Sequence, residues 1–160
     1  MFTSYKKHTN KLYNKLVELS RNKFFYQEVK LPDDFETRIL LIFFHLVTIL
    51  KISKNSKKKS QEIFDNIFLN IEYHIRESGY GDVAVNKKMK TLNKIFFDIL
   101  INFNIEKKRK NIINKYFLQN DKSNNQNANE LAKYFSNFEN FCFALDVDNM
   151  LNGSINFNFE

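Results

Sequence analysis

A chain of 160 residues is one domain's worth, able to bury roughly 70% of the surface its unfolded form exposes, so a single domain over residues 1–160 is the default. A hydrophobic content of 43%, with 18 Phe and no Trp, excludes a disordered chain, and three Gly with one Pro are too few for the tight turns of a sandwich or barrel. The formal charge of +7 points to an acidic partner such as nucleic acid, ribosome or an anionic lipid surface, while a lone cysteine, Cys142, excludes an intrachain disulfide and a cysteine zinc cage.

These bounds predict an all-α fold: a compact bundle of about six helices around a central hydrophobic helix, with a short extended C-terminal arm. The segment MFTSYKKHTNKLYNKL lacks the apolar run of a secretory signal and the Arg- and Ser-rich character of a transit peptide, so the domain is expected to begin near residue 1. Leu12, Leu16 and Leu19 recur at helical spacing and predict a first helix from about Ser4 to Arg21. An aromatic connector, Phe24-Phe25-Tyr26, leads to Leu31-Pro32-Asp33, where Asp33 and Glu36 read as a capping box opening the second helix. From Ile39 to Leu50 only His45 and Thr48 interrupt the apolar run. That run is too short for a hydrocarbon core, which needs about 20 residues, and predicts a buried central helix over Asp34–Ile52.

A basic linker, Lys54 to Lys59, precedes a third helix opening at Ser60 and carrying Phe64, Ile67, Phe68, Ile71 and Ile75 to a stop at Gly79. The stretch RESGYGDVAVNKKMK, Arg76 to Lys90, then holds two of the three glycines, Gly79 and Gly81, where the chain must turn. Asp82 is placed to accept backbone N–H bonds or to pair with Arg38 or Arg76. Lys87, Lys88 and Lys90 read as a helix start, where positive charge opposes the macrodipole and points to a partner. A fourth helix runs through Met89, Leu92, Ile95, Phe96, Ile99 and Phe103; a fifth follows the charge run Glu106 to Lys110 with Ile112, Ile113, Tyr116 and Phe117. Gln119 to Asn129 reads as a polar loop, with Asn127 and Glu130 capping a sixth helix that carries Leu131, Tyr134, Phe135, Phe138, Phe141, Cys142 and Leu145. Ile155, Phe157 and Phe159 alternate with asparagines, the period of an extended arm or short strand.

No catalytic or metal constellation emerges. Gly79-Tyr80-Gly81 lacks the third glycine of a dinucleotide fingerprint and the GK[ST] of a phosphate loop, and Cys142 falls in an aromatic helical pattern that places it in the core. His8, His45 and His74 lack the spacing that sets ligands on one helix face, and His74 with Glu77 reads as a solvated or hydrogen-bonded pair. The basic clusters Lys54–Lys59, Lys87–Lys94 and Lys107–Lys110 read as solvated faces without the aromatic interleaving of a single-strand groove, and no helix offers a polar recognition face for specific DNA.

Leu31-Pro32-Asp33 with Phe35, Arg38 and His45, and then Arg76-Glu77 with Gly79, Gly81, Asp82, Val85, Lys88, Met89 and Lys90, resemble the two signature blocks of the ubiquinol-cytochrome c chaperone family. Weaker similarity reaches Arg21, Phe25 and Tyr26 upstream, and Leu131, Ala132, Tyr134 and Leu151 to Phe157 downstream. The chain departs from the pattern at Asp34 and Thr37, where Thr and Gly are expected, and at Asp98-Ile99, where Gly-Arg is expected.

The resemblance implies a non-enzymatic helical chaperone for newly made cytochrome b in the biogenesis of respiratory complex III, without a cofactor. In mitochondria such a protein works with a small partner protein and at the ribosome's exit region. Bacterial relatives carry no targeting extension, which implies the cytoplasmic face of the inner membrane and peripheral contact with anionic lipid. Tyr80, Lys87, Lys88 and Lys90 are then the candidate partner-facing residues. Pro32, Asp33, Arg38, His45, Arg76, Glu77, Gly79, Gly81 and Asp82 form the structural motif. Two other classes fit the residues: a small basic helical protein binding nucleic acid or ribosome, and an enzyme using Arg76, Glu77 and Asp82.

Overall fold

The computed structural model describes residues 10–55, 57–119 and 125–159. The described residues form seven α-helices and one π-helical turn, and no strand among them accompanies the helices. The helices are α1 (Lys11–Ser20), α2 (Phe35–Ile52), α3 (Lys57–Glu77), α4 (Asp82–Phe103), α5 (Glu106–Phe117), α6 (Asn125–Phe143) and α7 (Val147–Leu151), with the π turn at Phe24–Glu28.

Local chemistry explains where they begin. Asn10 caps α1 by accepting the Tyr13 N–H at 2.8 Å; residues 4–9, expected in this helix, lie outside the described part. The cap of α2 is Asp34, not Asp33. Asp34 is extended and accepts the Thr37 N–H at 2.8 Å, whereas Asp33 is drawn to the Arg38 guanidinium at 2.5 Å. The full positive charge of the Arg38 guanidinium draws that carboxylate away from the backbone N–H groups, and its neighbour takes the capping role.

The second half of the basic run expected as a linker is helical, since Lys57, Lys58 and Lys59 form the first turn of α3. Ser60 ties this turn to the end of α2 by donating to the Ser53 carbonyl at 3.0 Å. Likewise the run from Glu106 to Lys110 is the start of α5 rather than a prelude to it. α6 begins at Asn125, within the stretch read as a loop, and Asn127 does not cap it: its side chain donates to the Val29 carbonyl at 3.2 Å. The short α7, capped by Asp146, has no counterpart in the sequence reading. The rest of that loop, residues 120–124, lies outside the described part.

α2 is the centre. Every residue from Leu41 to Ile49 is buried, so all faces of its middle turns are covered, by α1, α4 and α6 among others. Phe43 meets Phe68 of α3 and Phe96 of α4 at ring-centroid distances of 5.4 and 5.3 Å, while Phe44 meets Phe103, Phe117 and Phe135 on the other flank. Glu139 of α6 joins three helices, accepting from Lys51 at 2.6 Å and Arg109 at 3.1 Å. Arg109 therefore does not belong to a solvated face; it lies 4.6 Å over the Phe103 ring and reaches inward. Cys142 is buried in this core and its thiol is pushed up to about 12 by desolvation. The C-terminal arm is extended and unpaired: Ile155 is fully buried, Phe157 packs on Tyr134 and Phe138, and Phe159 packs on Phe24.

Candidate functional site

The Arg76–Lys90 corner is built by the end of α3 and the start of α4. α3 unwinds as the Ser78 N–H donates to the His74 and Ile75 carbonyls and the Gly79 N–H donates to the Arg76 carbonyl at 3.0 Å. Gly79 stands at φ +94, a conformation that disfavours any side chain. Gly81 does not: it is an extended N-cap at φ −73 without a side-chain cap bond, so only the first of the two glycines is demanded by backbone geometry. Arg76 closes the corner by donating to Asp82 and lying 3.7 Å from Glu72. Of the two partners open to Asp82, Arg76 is therefore the one it takes, and Arg38 is held by Asp33 instead. Asp82 also opens α4, where its charge complements the helix N-terminus.

Because α4 begins at Asp82, Lys87, Lys88 and Lys90 lie beyond its first turn. The macrodipole fades over that turn, so it supplies no argument about these lysines. Helical phase divides them. Lys87 and Lys88 reach the mouth of a groove of about 870 Å³, whereas Lys90 is exposed outside it. Phe35, Ile39 and Leu40 of α2, Leu92 and Ile95 of α4, and Tyr116 of α5 give the groove apolar walls. Tyr80 stands at the same mouth, 48% exposed, with the Lys88 ammonium 4.6 Å from its ring centroid. Asp34 and Glu36 supply negative charge at the α2 side. Tyr116 is fixed by donating to Asp98 at 2.5 Å, and Asp98 also accepts from Lys115 at 2.8 Å. Those two bonds, Lys115 foremost, hold the Asp98 carboxyl below its ordinary range. The arrangement can bury apolar side chains of a bound segment and meet its charges at either rim.

The remaining motif residues serve the frame. Pro32 is exposed and leads into the Asp33–Arg38 pair; Glu77 is the exposed last residue of α3. His45 is wholly buried: its Nδ1–H donates to the Leu41 carbonyl at 2.6 Å and its Nε2 accepts the Tyr134 hydroxyl at 2.7 Å. Burial pulls its pKa down to about 4, against a smaller raising effect of the Leu41 carbonyl. The His74 ring lies against Phe35, and its Nδ1 is 3.5 Å from the Tyr13 hydroxyl. Among the described residues, no three His, Cys, Asp or Glu side chains gather as a metal site. The groove is not legible in the sequence because its walls come from helices distant in the chain, Phe35 and Leu40 from α2, Leu92 and Ile95 from α4 and Tyr116 from α5.

No helix among the described residues is long and apolar enough to cross a membrane. Comparison with curated protein sequences gives no match. The crystal structure of the Cbp3 homolog from Brucella abortus superposes with a TM-score of 0.75 at 21% identity, over 96% of this chain and 93% of that one, which establishes the shared fold. The family model described as ubiquinol-cytochrome C chaperone matches residues 27–157, a span that takes in both signature blocks, the groove and most of the arm. The chain belongs to the ubiquinol-cytochrome C chaperone family.

Proposed function

We propose that this protein is an assembly chaperone that holds newly made cytochrome b during the biogenesis of respiratory complex III, working by binding and not by turnover. The reading rests on family membership. What supports a site for it is the apolar groove beside the signature corner, with Tyr80, Lys87 and Lys88 at its mouth. A cytochrome b segment offers apolar side chains for the walls, and charged residues of its connecting loops can meet the rims. Association is peripheral, at an anionic membrane surface where the client emerges, with a ribosome or a small partner protein as further contacts.

Affinity purification from detergent-solubilised cells tests this directly. The parent chain is expected to retain cytochrome b, and its deletion to lower assembled complex III at unchanged cytochrome b mRNA. The triple variant Tyr80→Ser, Lys87→Gln, Lys88→Gln is expected to retain at least about fivefold less client, as loss of about 1 kcal/mol of binding free energy implies, with an unchanged melting temperature. Normal complex III in a clean deletion refutes the assignment. The net charge of +7 supports one competing reading, a protein that docks on ribosomal RNA. That reading requires a salt-dependent mobility shift with RNA and client retention no better than background.

A further inference from the structure

We infer that the outer edge of α4 and the trough beside it form the surface by which this protein docks on an anionic phospholipid bilayer. The inference deepens the peripheral placement proposed for the chain by naming the face. Lys90, Lys94, Phe97 and Ile101 fall at i, i+4, i+7 and i+11, which sets them on one line of the helix. Phe97 is 47% and Ile101 63% exposed, and Ile105, at the corner into α5, is 41% exposed. Two large apolar side chains thus stand on this line, with a third at the corner that follows, where a water-facing helix edge would carry polar residues.

Beside this ridge runs a trough of about 750 Å³ with Leu50, Phe64, Phe96 and Leu100 in its walls and Lys54 and Lys57 at its rim. Lys51 also lines it but is held by Glu139. No carboxylate lines the trough, and Lys54, Lys57, Lys90 and Lys94 make no ion pair among the described residues. The nearby Asp98 is engaged by Lys115 and Tyr116, and Glu106 is followed by Lys107 and Lys108. Apolar groups in line, flanked by cations of one sign, are complementary to a surface that is hydrocarbon below and anionic above.

A protein segment fits less well. Neither Ile101 nor Ile105 lines the trough, so a segment lying in it would leave both in water. A bilayer surface covers ridge and rim together. Stacked nucleic-acid bases would call for aromatic rings where the ridge has isoleucines. Docking this way has a consequence for the client: helical phase puts the trough on one flank of α4 and the Tyr80 groove on the other, so the groove stays open at the membrane surface.

Flotation of the full chain with phosphatidylcholine vesicles, with and without phosphatidylglycerol, tests the inference. Binding is expected only with phosphatidylglycerol, and to weaken as salt rises. Replacing Lys54, Lys57 and Lys94 with Gln is expected to lower partitioning about fivefold per lysine. The double variant Phe97→Ser, Ile101→Ser is expected to lower it about tenfold; Ile101, 63% exposed, gives its share of that loss at an unchanged melting temperature, whereas Phe97 also packs on Phe64 and Phe96. Binding unaffected by both variants overturns the face. If Lys87→Gln with Lys88→Gln abolishes flotation instead, the face is wrong while peripheral placement stands. Absence of flotation at low salt with any vesicle overturns both, and client retention remains a separate measurement.

Discussion

A β-carbon on Gly153 would lie 2.7 Å from the Lys11 carbonyl oxygen, and the backbone there is at φ +73. Two penalties therefore coincide: left-handed strain of about 1–2 kcal/mol and a clash with main chain that has little room to give, about 1–2 kcal/mol more. Gly79 at φ +94 meets only the first, as nothing lies within 4 Å of its added carbon, and Gly81 meets neither. Chemical denaturation should rank the variants accordingly. Gly153→Ala is expected to lose about 2–4 kcal/mol, Gly79→Ala about 1–2 kcal/mol, and Gly81→Ser to stay level or gain a few tenths by capping α4. Equal losses at Gly79 and Gly81 would return both glycines to one architectural role. In the sequence the pair Gly79–Gly81 announced a turn, but a glycine letter does not reveal which property is used. Gly153 stands in the closing block that resembles the family, but its constraint is not legible there because it comes from Lys11, at the other end of the chain. The three lysines of the corner are likewise one set as letters, and helical phase along α4 divides Lys87 and Lys88 from Lys90.

Among the helices, α2 was the most legible, because an apolar run interrupted only by His45 and Thr48 leaves no face for water. Thr48 satisfies its hydroxyl along the helix at the Phe44 carbonyl, while His45 donates from Nδ1 to the Leu41 carbonyl and accepts at Nε2 from Tyr134 of α6. Starts were less legible than stripes. Asp33 and Asp34 are equivalent as letters, and what separates them is the tertiary reach of Arg38. Lysine runs read as linkers, yet a run at a helix start keeps its ammonium groups in water while the backbone stays helical. For α2 the prediction is severe. Leu46 is fully buried, so Leu46→Asp sets an unpaired charge in the core, at a cost comparable with the whole stability of about 5–15 kcal/mol. No soluble native protein is expected. Leu46→Ala, by contrast, should fold with a loss of about 2–5 kcal/mol. Native circular dichroism and melting in Leu46→Asp would refute the central position of α2.

At the scale of the molecule a polar link crosses the aromatic interior. The hydroxyl of Tyr134 on α6 donates to His45 on α2, in a shell formed by Phe25 of the π turn, Phe135 and Phe138. The arm lies over the same place, with Phe157 and Phe159 on the Tyr134 ring. His45 is thus neutral in the folded state, with a pKa of about 4 against an ordinary value of 6.5. The unfolded chain takes up that proton first as pH falls. The contribution is accordingly complete above pH 6.5 and is lost progressively between pH 6.5 and about 4, amounting to about 3 kcal/mol. Carboxylates titrate in the same range, so the parent is compared with His45→Gln, whose amide can occupy the site without titrating. The parent's denaturation free energy should exceed that of the variant at pH 7, and the gap should shrink by about 3 kcal/mol by pH 4. A gap constant across that interval would mean that His45 does not carry the acid sensitivity, and that its burial is matched in the unfolded chain or relieved by a proton acceptor other than Leu41.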